Sequence, residues 1–407
     1  MAALFAAPPA RADSVRDLEY WLSSYGVQQA WATTRGAGIT IAVIDTGVDG
    51  SHPDLTGTVI GGTDVSGIGA ANGQTPVGPE SNHGTMVASL LAGHGHGAGS
   101  NNGILGVAPA AKILAVSVGF GVGSVTSDDQ IAAAVRWSVD NGADIINMSL
   151  TRNTLDWPTS WDDAFLYAMQ KGVIVVAAAG NRGSGSTEVG APATMPGVVV
   201  AAGVDKNGNA SVDASSQGIT ISVSAPSEGL VGASPGGGYY TWSGTSGATP
   251  LVAGVLTLIK ASHPKLSAGN VINRLTATAR SKGNAITYGS GLFDASAAVN
   301  ASVPSVTSEP VDALKEWIRL NRRATAPATQ NPTATPTARA TAQPTPIAIA
   351  APVTPFRHLL PAVGDLRDFG IPALVYLATA VALFWAVRRL FGGFRSNREA
   401  RSAQRRP

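Results

Sequence analysis

Cysteine is absent from this chain of 407 residues, and charged side chains make up only 13% of it. Outside the cell the fold would therefore have to be stable without disulfides, although the absence excludes no compartment. The low charge and the 48 glycines are typical of a tight, loop-rich globular protein. They argue against a disordered chain and against a nucleic-acid-binding surface.

The small net charge of +2 is distributed unevenly along the chain. Residues 388–407 contain seven arginines and one glutamate, so this tail has a net charge of +6 and the remainder is near −4. The basic isoelectric point therefore reflects the tail. For the main part of the chain we expect no nucleic acid partner.

Changes in composition divide the chain into segments. Residues 1–12 are apolar and end in Ala-Arg-Ala, a cleavage pattern that predicts the last part of a signal peptide, with a disordered terminus as the alternative. A compact domain is expected over residues 13–303. Residues 304–368 are rich in proline, threonine and alanine, which predicts an extended linker with a short helix near 311–323.

A run of nineteen residues without charge, 369–387, is long enough to cross a bilayer core of about 30 Å. The alternative is a buried soluble helix, but after a linker such a helix would have nothing to pack against. Two arginines follow the run at once. The positive-inside rule therefore places the basic tail 388–407 in the cytoplasm and the compact domain outside the cell, in a single-pass membrane protein.

A stretch of small residues, Gly244 to Pro250, reads Gly-Thr-Ser-Gly-Ala-Thr-Pro and runs into an apolar segment that is predicted to be a buried helix. Ser246 is uncrowded there, and the free N–H groups and dipole of the helix start favour the negative charge that forms when a serine attacks a carbonyl. From this stretch alone, a capped core helix without chemistry is an equal alternative.

Two upstream motifs supply partners for this serine. The apolar run 39–44 predicts a buried strand ending at Asp45, and open α/β sheets carry their chemistry at that end of the strands. His83 opens a predicted helix over 84–93. With Asp-Thr-Gly, His-Gly-Thr and Gly-Thr-Ser in this order, and with Asn181 in Ala-Ala-Gly-Asn, the chain resembles the subtilisin-like serine peptidases over roughly residues 25–300.

The resemblance implies a role for each of these residues. His83 would take the proton of Ser246, Asp45 would orient the imidazole, and Asn181 would stabilise the oxyanion with the Ser246 N–H. A polypeptide substrate would bind as an added strand between 119–123, which contains Gly121, and 149–152. The first specificity pocket would be formed by the following residues: Ser149, Leu150, Gly180, Arg182 and Gly190.

Two charged residues bear on the specificity of that pocket. Arg182 directly follows Asn181, so we expect its guanidinium at the pocket rim, facing solvent, where it would disfavour lysine and arginine in the substrate. Glu188 is expected near the pocket floor. The apolar walls should favour medium apolar side chains before the cut.

Strand-like runs alternate with helical segments, which predicts an α/β domain with a three-layer subtilisin-like fold: a mostly parallel sheet with helices on both faces. Residues 13–32 should be mainly helical. The strands are expected at 39–44, 112–118, 144–148, 173–178, 197–203 and 219–223, and the helices at 84–93, 127–141, 160–171, 246–262 and 267–279.

This chemistry requires no catalytic metal and no cofactor. Asn101-Asn102-Gly103 resembles a calcium loop of the secreted subtilisins, which leaves a structural calcium ion open. His94 and His96 have the spacing of metal ligands, but no acidic or cysteine ligand lies within their glycine-rich loop, so a solvated loop is favoured. His52, in Ser-His-Pro-Asp-Leu, is assigned to a structural turn.

The layout of signal peptide, catalytic domain, proline-rich stalk, span and basic tail resembles the mycosins of actinobacterial type VII secretion. This resemblance implies a membrane-anchored, extracytoplasmic serine endopeptidase that also contacts the secretion membrane complex. Two alternatives remain. One is a surface protease for general degradation or shedding, and the other is a structural subunit of a secretion complex whose peptidase activity is dispensable.

Overall fold

A parallel sheet forms the middle layer of the computed structural model, which describes residues 15–322. The strands of the described residues are β1 (Thr40–Asp45), β2 (Val59–Asp64), β3 (His94–His96), β4 (Asn102–Leu105), β5 (Lys112–Ser117), β6 (Ile145–Met148), β7 (Ile174–Ala178), β8 (Val199–Val204), β9 (Val223–Pro226), β10 (Leu230–Ala233) and β11 (Tyr239–Trp242). Seven of them form this sheet in the order β2-β5-β1-β6-β7-β8-β9, and every adjacent pair is parallel. β3–β4 and β10–β11 pair separately as antiparallel ribbons.

Helices cover both faces of this sheet. They are α1 (Tyr20–Ser24), α2 (Val27–Ala30), α3 (His83–Ala92), α4 (Ser127–Asp140), α5 (Thr159–Gln170), α6 (Thr245–Ser262), α7 (Ala268–Ala277), α8 (Ala285–Tyr288), α9 (Ala295–Asn300) and α10 (Pro310–Asn321). Alternate side chains of a strand face opposite sides. Ile41 and Val43 of β1 accordingly lie in the core with α3 and α6, whereas Ala42 and Ile44 lie in the core with α4 and α5. The predicted three-layer arrangement is confirmed.

The main strands and helices lie close to their predicted positions, with informative exceptions. The prediction of a strand at 219–223 is wrong: Ile219 is 90% exposed, and the strand begins only at Val223. β2 was not predicted, since two glycines interrupt its apolar pattern. The ribbons β3–β4 and β10–β11 were also not predicted. The expected helix over 13–32 is divided into α1 and α2, which are separated by Gly26 in the left-handed region.

The last helix belongs to the packed domain and not to an extended linker. Leu314 on α10 is fully buried, and the ring of Trp317 lies 4.2 Å from that of Trp157 between centroids. Arg322 donates to Asp162 at 2.8 Å. The domain therefore extends past the expected boundary at residue 303, because the short helix has an apolar face that packs against α5.

The predicted signal peptide, the linker beyond residue 322, the membrane span and the basic tail lie outside the described residues. From residue 15 to residue 322, the helices are too short or too polar to cross a membrane.

Candidate active site

Four of the sequence-predicted site residues lie at the carboxyl edge of the sheet, where parallel strands of an α/β fold present their chemistry. Asp45 is the last residue of β1, and Ser149 directly follows the adjacent strand β6. His83 is the first residue of α3, and Ser246 lies in the first turn of α6.

Asp45 and His83 form the central contact. Nδ1 of His83 lies 2.8 Å from Oδ1 and 3.0 Å from Oδ2 of Asp45, whose side chain is only 1% exposed. Thr46 fixes the carboxylate by donating its N–H to Oδ1 at 2.7 Å, and its hydroxyl accepts from the Gly84 N–H at 3.0 Å. Because Nδ1 donates to Asp45, Nε2 of a neutral His83 is left as a proton acceptor.

The surroundings of His83 shift its basicity in opposing directions. Burial alone would lower the pKa of the imidazole, because it disfavours the charged form. The charge and hydrogen bond of Asp45, with a further contribution from Glu80, outweigh burial and hold the pKa of His83 above its usual value of 6.5. Trp242 packs edge-to-face on the same imidazole, with 5.6 Å between ring centroids.

Ser246 is held through its main chain. The Ser149 hydroxyl donates to the Ser246 carbonyl at 2.8 Å and itself accepts from Nδ2 of the buried Asn147 at 3.0 Å. The Ser246 hydroxyl donates to the Ser149 carbonyl at 3.1 Å. In this arrangement the serine turn is fixed, and the hydroxyl is directed at Ser149 and not at His83.

Asn181 is oriented by the residue that precedes the serine. Its Oδ1 accepts from the Thr245 N–H at 2.8 Å and from the Thr245 hydroxyl at 3.0 Å. Only an oxygen can accept from an N–H, so these bonds fix which end of the amide is Nδ2. Within residues 15–322, Nδ2 has no hydrogen-bond acceptor, so it is available to a ligand.

A cleft of about 470 Å³ opens beside these residues. His83, Ser246 and the residues 149–151 form part of its lining. Its remaining lining residues are Thr46, Val77, Gly78, Pro79, Glu80 and Phe120. Of the predicted substrate-binding residues, Ser149 and Leu150 line this cleft. Phe120 is the residue of the predicted edge 119–123 that lines it, and Gly121 does not.

Three other predicted pocket residues have different surroundings. Arg182 is partly buried and donates to the carbonyls of Ser211 and Ser215 at 2.8 and 2.9 Å, so its guanidinium is held by the main chain of another segment. The expectation that Arg182 disfavours basic substrates stays a prediction. Gly180 donates to the Thr245 hydroxyl at 3.1 Å. Gly190 packs so closely on the chain that an added Cβ would lie 1.7 Å from the Arg152 carbonyl oxygen.

Glu188 is also displaced from its predicted position at the pocket floor. It lines a separate cavity with Ile219 and Trp317. Glu80 is the one carboxylate among the residues that line the cleft next to His83.

Gln130, which holds the loop that carries Phe120, was not predicted from the sequence. Gln130 is fully buried in α4. Its Oε1 accepts from the Gly119 N–H at 2.7 Å, and its Nε2 donates to the carbonyls of Gly119 and Val125 at 3.2 and 2.7 Å. One polar residue among the apolar positions of a helix was a signal for such a role, because a buried amide needs partners.

Trp242 and Glu80 were missed for different reasons. Trp242 lies on β11, which the sequence pattern did not indicate, and Glu80 lies in a loop where an isolated charge carries no signal. Gly247, which directly follows Ser246, faces space filled by Leu230: an added Cβ would lie 2.2 Å from Cδ1 of that leucine.

The histidines outside the cleft have structural partners. His52 is buried and its Nδ1 accepts from the Asp54 N–H at 3.2 Å, within the turn. His94 and His96 form β3 and not a solvated loop, and Nδ1 of His96 lies 2.6 Å from Oδ1 of Asp54. Within the described part of the chain, no group of three or more His, Cys, Asp or Glu side chains could hold a metal ion.

A family profile and several known proteins match this chain. The profile of the subtilase family of peptidases matches residues 36–292. Subtilisin E of Bacillus subtilis (strain 168) is 38% identical over 282 residues, which are 67% of this chain and 70% of that protein. Among solved structures, MycP1 from Mycobacterium smegmatis has a TM-score of 0.61 at 28% identity, covering 72% of this chain and 88% of that one. The MycP3 protease from the type VII (ESX-3) secretion system has a TM-score of 0.60 at 28% identity, with coverage of 72% and 90%.

Proposed function

Because the chain belongs to the subtilase family of serine peptidases, we propose that it is an endopeptidase whose catalytic triad is Asp45, His83 and Ser246. The observation that carries this proposal is the Asp45–His83 hydrogen bond at the rim of a cleft that Ser246 also lines. Asp45 fixes the imidazole so that Nε2 accepts a proton, and Ser246 is the hydroxyl that supplies it.

Substrate binding turns Ser246 towards its base in this mechanism. A polypeptide that adds as a strand along residues 149–151 donates an N–H to the Ser149 carbonyl, the group that now accepts the Ser246 hydroxyl. The displaced hydroxyl turns to Nε2 of His83 and attacks the scissile carbonyl, while His83 takes its proton. His83 then returns the proton to the leaving amine, and water completes hydrolysis of the acyl-enzyme.

Asn181 and the Ser246 N–H stabilise the oxyanion of the tetrahedral intermediate. The Thr245 bonds to Oδ1 leave Nδ2 for that role. Loss of one oxyanion donor lowers kcat by about 10²–10³, a range that was established in subtilisin itself.

The test compares peptide hydrolysis by the full-length chain with that of Asn181→Ala and Ser246→Ala. Ser246→Ala should abolish turnover, and Asn181→Ala should lower kcat by about a hundredfold or more with little change in KM. A rise in KM alone for Asn181→Ala would contradict the oxyanion role. Ser184→Ala, an exposed serine near Asn181, is the control and should retain full activity.

We also propose that the peptidase domain is anchored outside the cell membrane and acts with a type VII secretion complex. The likeness to MycP1 and MycP3 supports the secretion role, and the uncharged run 369–387 followed by arginines supports the anchor. A general surface protease and a scaffold with dispensable activity are the alternatives.

Deletion of the gene and complementation separate these roles. We expect secretion through the type VII system to be lost on deletion and restored by the intact chain. Full rescue by Ser246→Ala would favour the scaffold, whereas normal secretion in the deletion strain would favour the general protease. The full chain should also remain with membranes after a high-salt wash, and release by salt would exclude the span.

A further inference from the structure

The turn between β3 and β4, taken here with the first two residues of β4 as residues 97–103, surrounds one cation with main-chain carbonyls. Ser100, within this turn, has a φ of +56°, and the carbonyls of Ser100, Asn102 and Gly103 all accept hydrogen bonds from Arg16. Nη2 of Arg16 donates to Ser100 at 2.7 Å and to Asn102 at 3.2 Å, and Nε donates to Gly103. The turn includes the segment whose sequence resembles a calcium loop.

Calcium does not fit this turn as it stands. A calcium ion takes six to eight oxygen ligands at about 2.3–2.6 Å, and carbonyl oxygens of such a turn would have to supply several of them. Here the same oxygens already face a guanidinium. Gly95 makes room for it, since an added Cβ at this position would lie 2.3 Å from Nη2 of Arg16.

The nearby carboxylates are also engaged. Glu19, whose side chain is 1% exposed, lies 3.5 Å from Nε of Arg16, and its Oε1 accepts from the Leu105 N–H at 2.7 Å. Asp54 is fully buried and accepts from the Ile104 N–H and the Tyr239 hydroxyl, each at 2.9 Å, in addition to its contact with His96. Acidic oxygens near the turn thus have protein partners.

We propose that Arg16 is the resident cation of this turn, in the place that the sequence resemblance would give to calcium. The positive charge that draws the carbonyls together comes from the N-terminal segment of the chain itself. The segment around Arg16 is therefore a structural part of the peptidase domain, and the fold needs no divalent cation at this turn. This inference does not depend on the proposed catalytic roles.

Thermal unfolding of the full-length chain tests the proposal, with Ser246→Ala in every protein to prevent self-cleavage. Tryptophan fluorescence gives Tm in excess EDTA and in millimolar calcium chloride. The parent should have the same Tm in both. Arg16→Gln, which removes the charge, should lower Tm in EDTA by about 3–8 °C, because charge-assisted hydrogen bonds are lost. Calcium should then raise the Tm of this variant by admitting a metal to the vacated carbonyls.

Two further variants separate charge from shape. Arg16→Lys keeps a positive charge and should retain a Tm between those of the parent and Arg16→Gln, without a response to calcium. Arg136→Gln removes an exposed arginine of α4 and should leave Tm unchanged. A parent whose Tm falls in EDTA or rises with calcium would overturn the proposal. So would an Arg16→Gln protein that is as stable as the parent, or one whose lowered Tm ignores calcium.

Discussion

Ser149 and Ser246 bind each other reciprocally: each hydroxyl donates to the main-chain carbonyl of the other, at 2.8 Å from Ser149 and 3.1 Å from Ser246. The two bonds have different consequences. The first fixes the turn that carries the proposed nucleophile. In the proposed mechanism, the second holds the Ser246 hydroxyl away from His83 until a substrate takes its place on the Ser149 carbonyl.

Ser149→Ala should lower kcat by about fivefold and leave KM nearly unchanged. The variant keeps the carbonyl that binds substrate but loses the hydroxyl that fixes the Ser246 main chain, and one such hydrogen bond contributes about 1 kcal/mol. Steady-state hydrolysis of a peptide measures both constants. Ser138→Ala is a matched control, because the hydroxyl of this buried serine donates within α4, to the Ala134 carbonyl at 2.7 Å. A rise in KM without a fall in kcat would contradict the positioning role.

The acidic limb of the pH profile of kcat/KM should reflect the pKa of His83. The proposed base must be neutral, so kcat/KM rises as pH passes the pKa of His83, and the midpoint should lie above 6.5 because that pKa is raised. Glu80→Gln removes a negative charge that favours the imidazolium, so the midpoint moves to lower pH. At a pH below the midpoint, kcat/KM should rise by about two- to fivefold.

Glu188→Gln provides the control for that shift, since Glu188 lines a separate cavity and should leave the midpoint in place. The profiles should be recorded at low salt, where screening is weakest. A midpoint that moves to higher pH in Glu80→Gln would show that the sign of the interaction is wrong.

Gln130→Met should raise KM severalfold with little effect on kcat. Methionine keeps the volume of the buried side chain but loses all three hydrogen bonds to Gly119 and Val125, so the loop that carries Phe120 is no longer held at the edge of the cleft. The measurement is peptide hydrolysis well below the Tm of the variant. Gln170→Met, on the exposed end of α5, should change neither constant. An unchanged KM for Gln130→Met would contradict the prediction that this loop forms one edge of the substrate-binding site.

Leu314→Ala should lower the free energy of unfolding by about 2–5 kcal/mol, because it leaves a cavity where a fully buried side chain packed. Urea unfolding in the Ser246→Ala background measures the difference. Leu320→Ala, on the same helix but 55% exposed, should cost far less. Equal effects of the two substitutions would mean that α10 does not belong to the packed domain.

The sequence predicted those parts of the site that depend on short motifs and on strand ends. Asp45, His83 and Ser246 could be placed because each lies at the end of an apolar strand or the start of an apolar helix, and the sheet brings those ends together. Asn181 could be placed because it follows β7. The order of the motifs along the chain also indicated the family, the subtilisin-like serine peptidases.

The rest depends on contacts between segments that are distant in the chain. Arg182 was expected to face solvent, but its guanidinium donates hydrogen bonds to the carbonyls of Ser211 and Ser215. No local sequence pattern predicts a contact between these segments. The Arg16 contact spans more than eighty residues of sequence. Trp242 and the ribbon β10–β11 were missed because short strands with glycine and polar residues give weak periodicity.

Covalent labelling tests the central claim most directly. An aryl sulfonyl fluoride reacts with a serine hydroxyl that a neighbouring base activates, and tryptic mass spectrometry locates the adduct. The full-length chain should gain one sulfonyl group, on Ser246, at a rate that His83→Ala reduces by several orders of magnitude. Labelling of a different serine, or labelling of Ser246 at an undiminished rate in His83→Ala, would contradict the assignment of Ser246 as the nucleophile and His83 as its base.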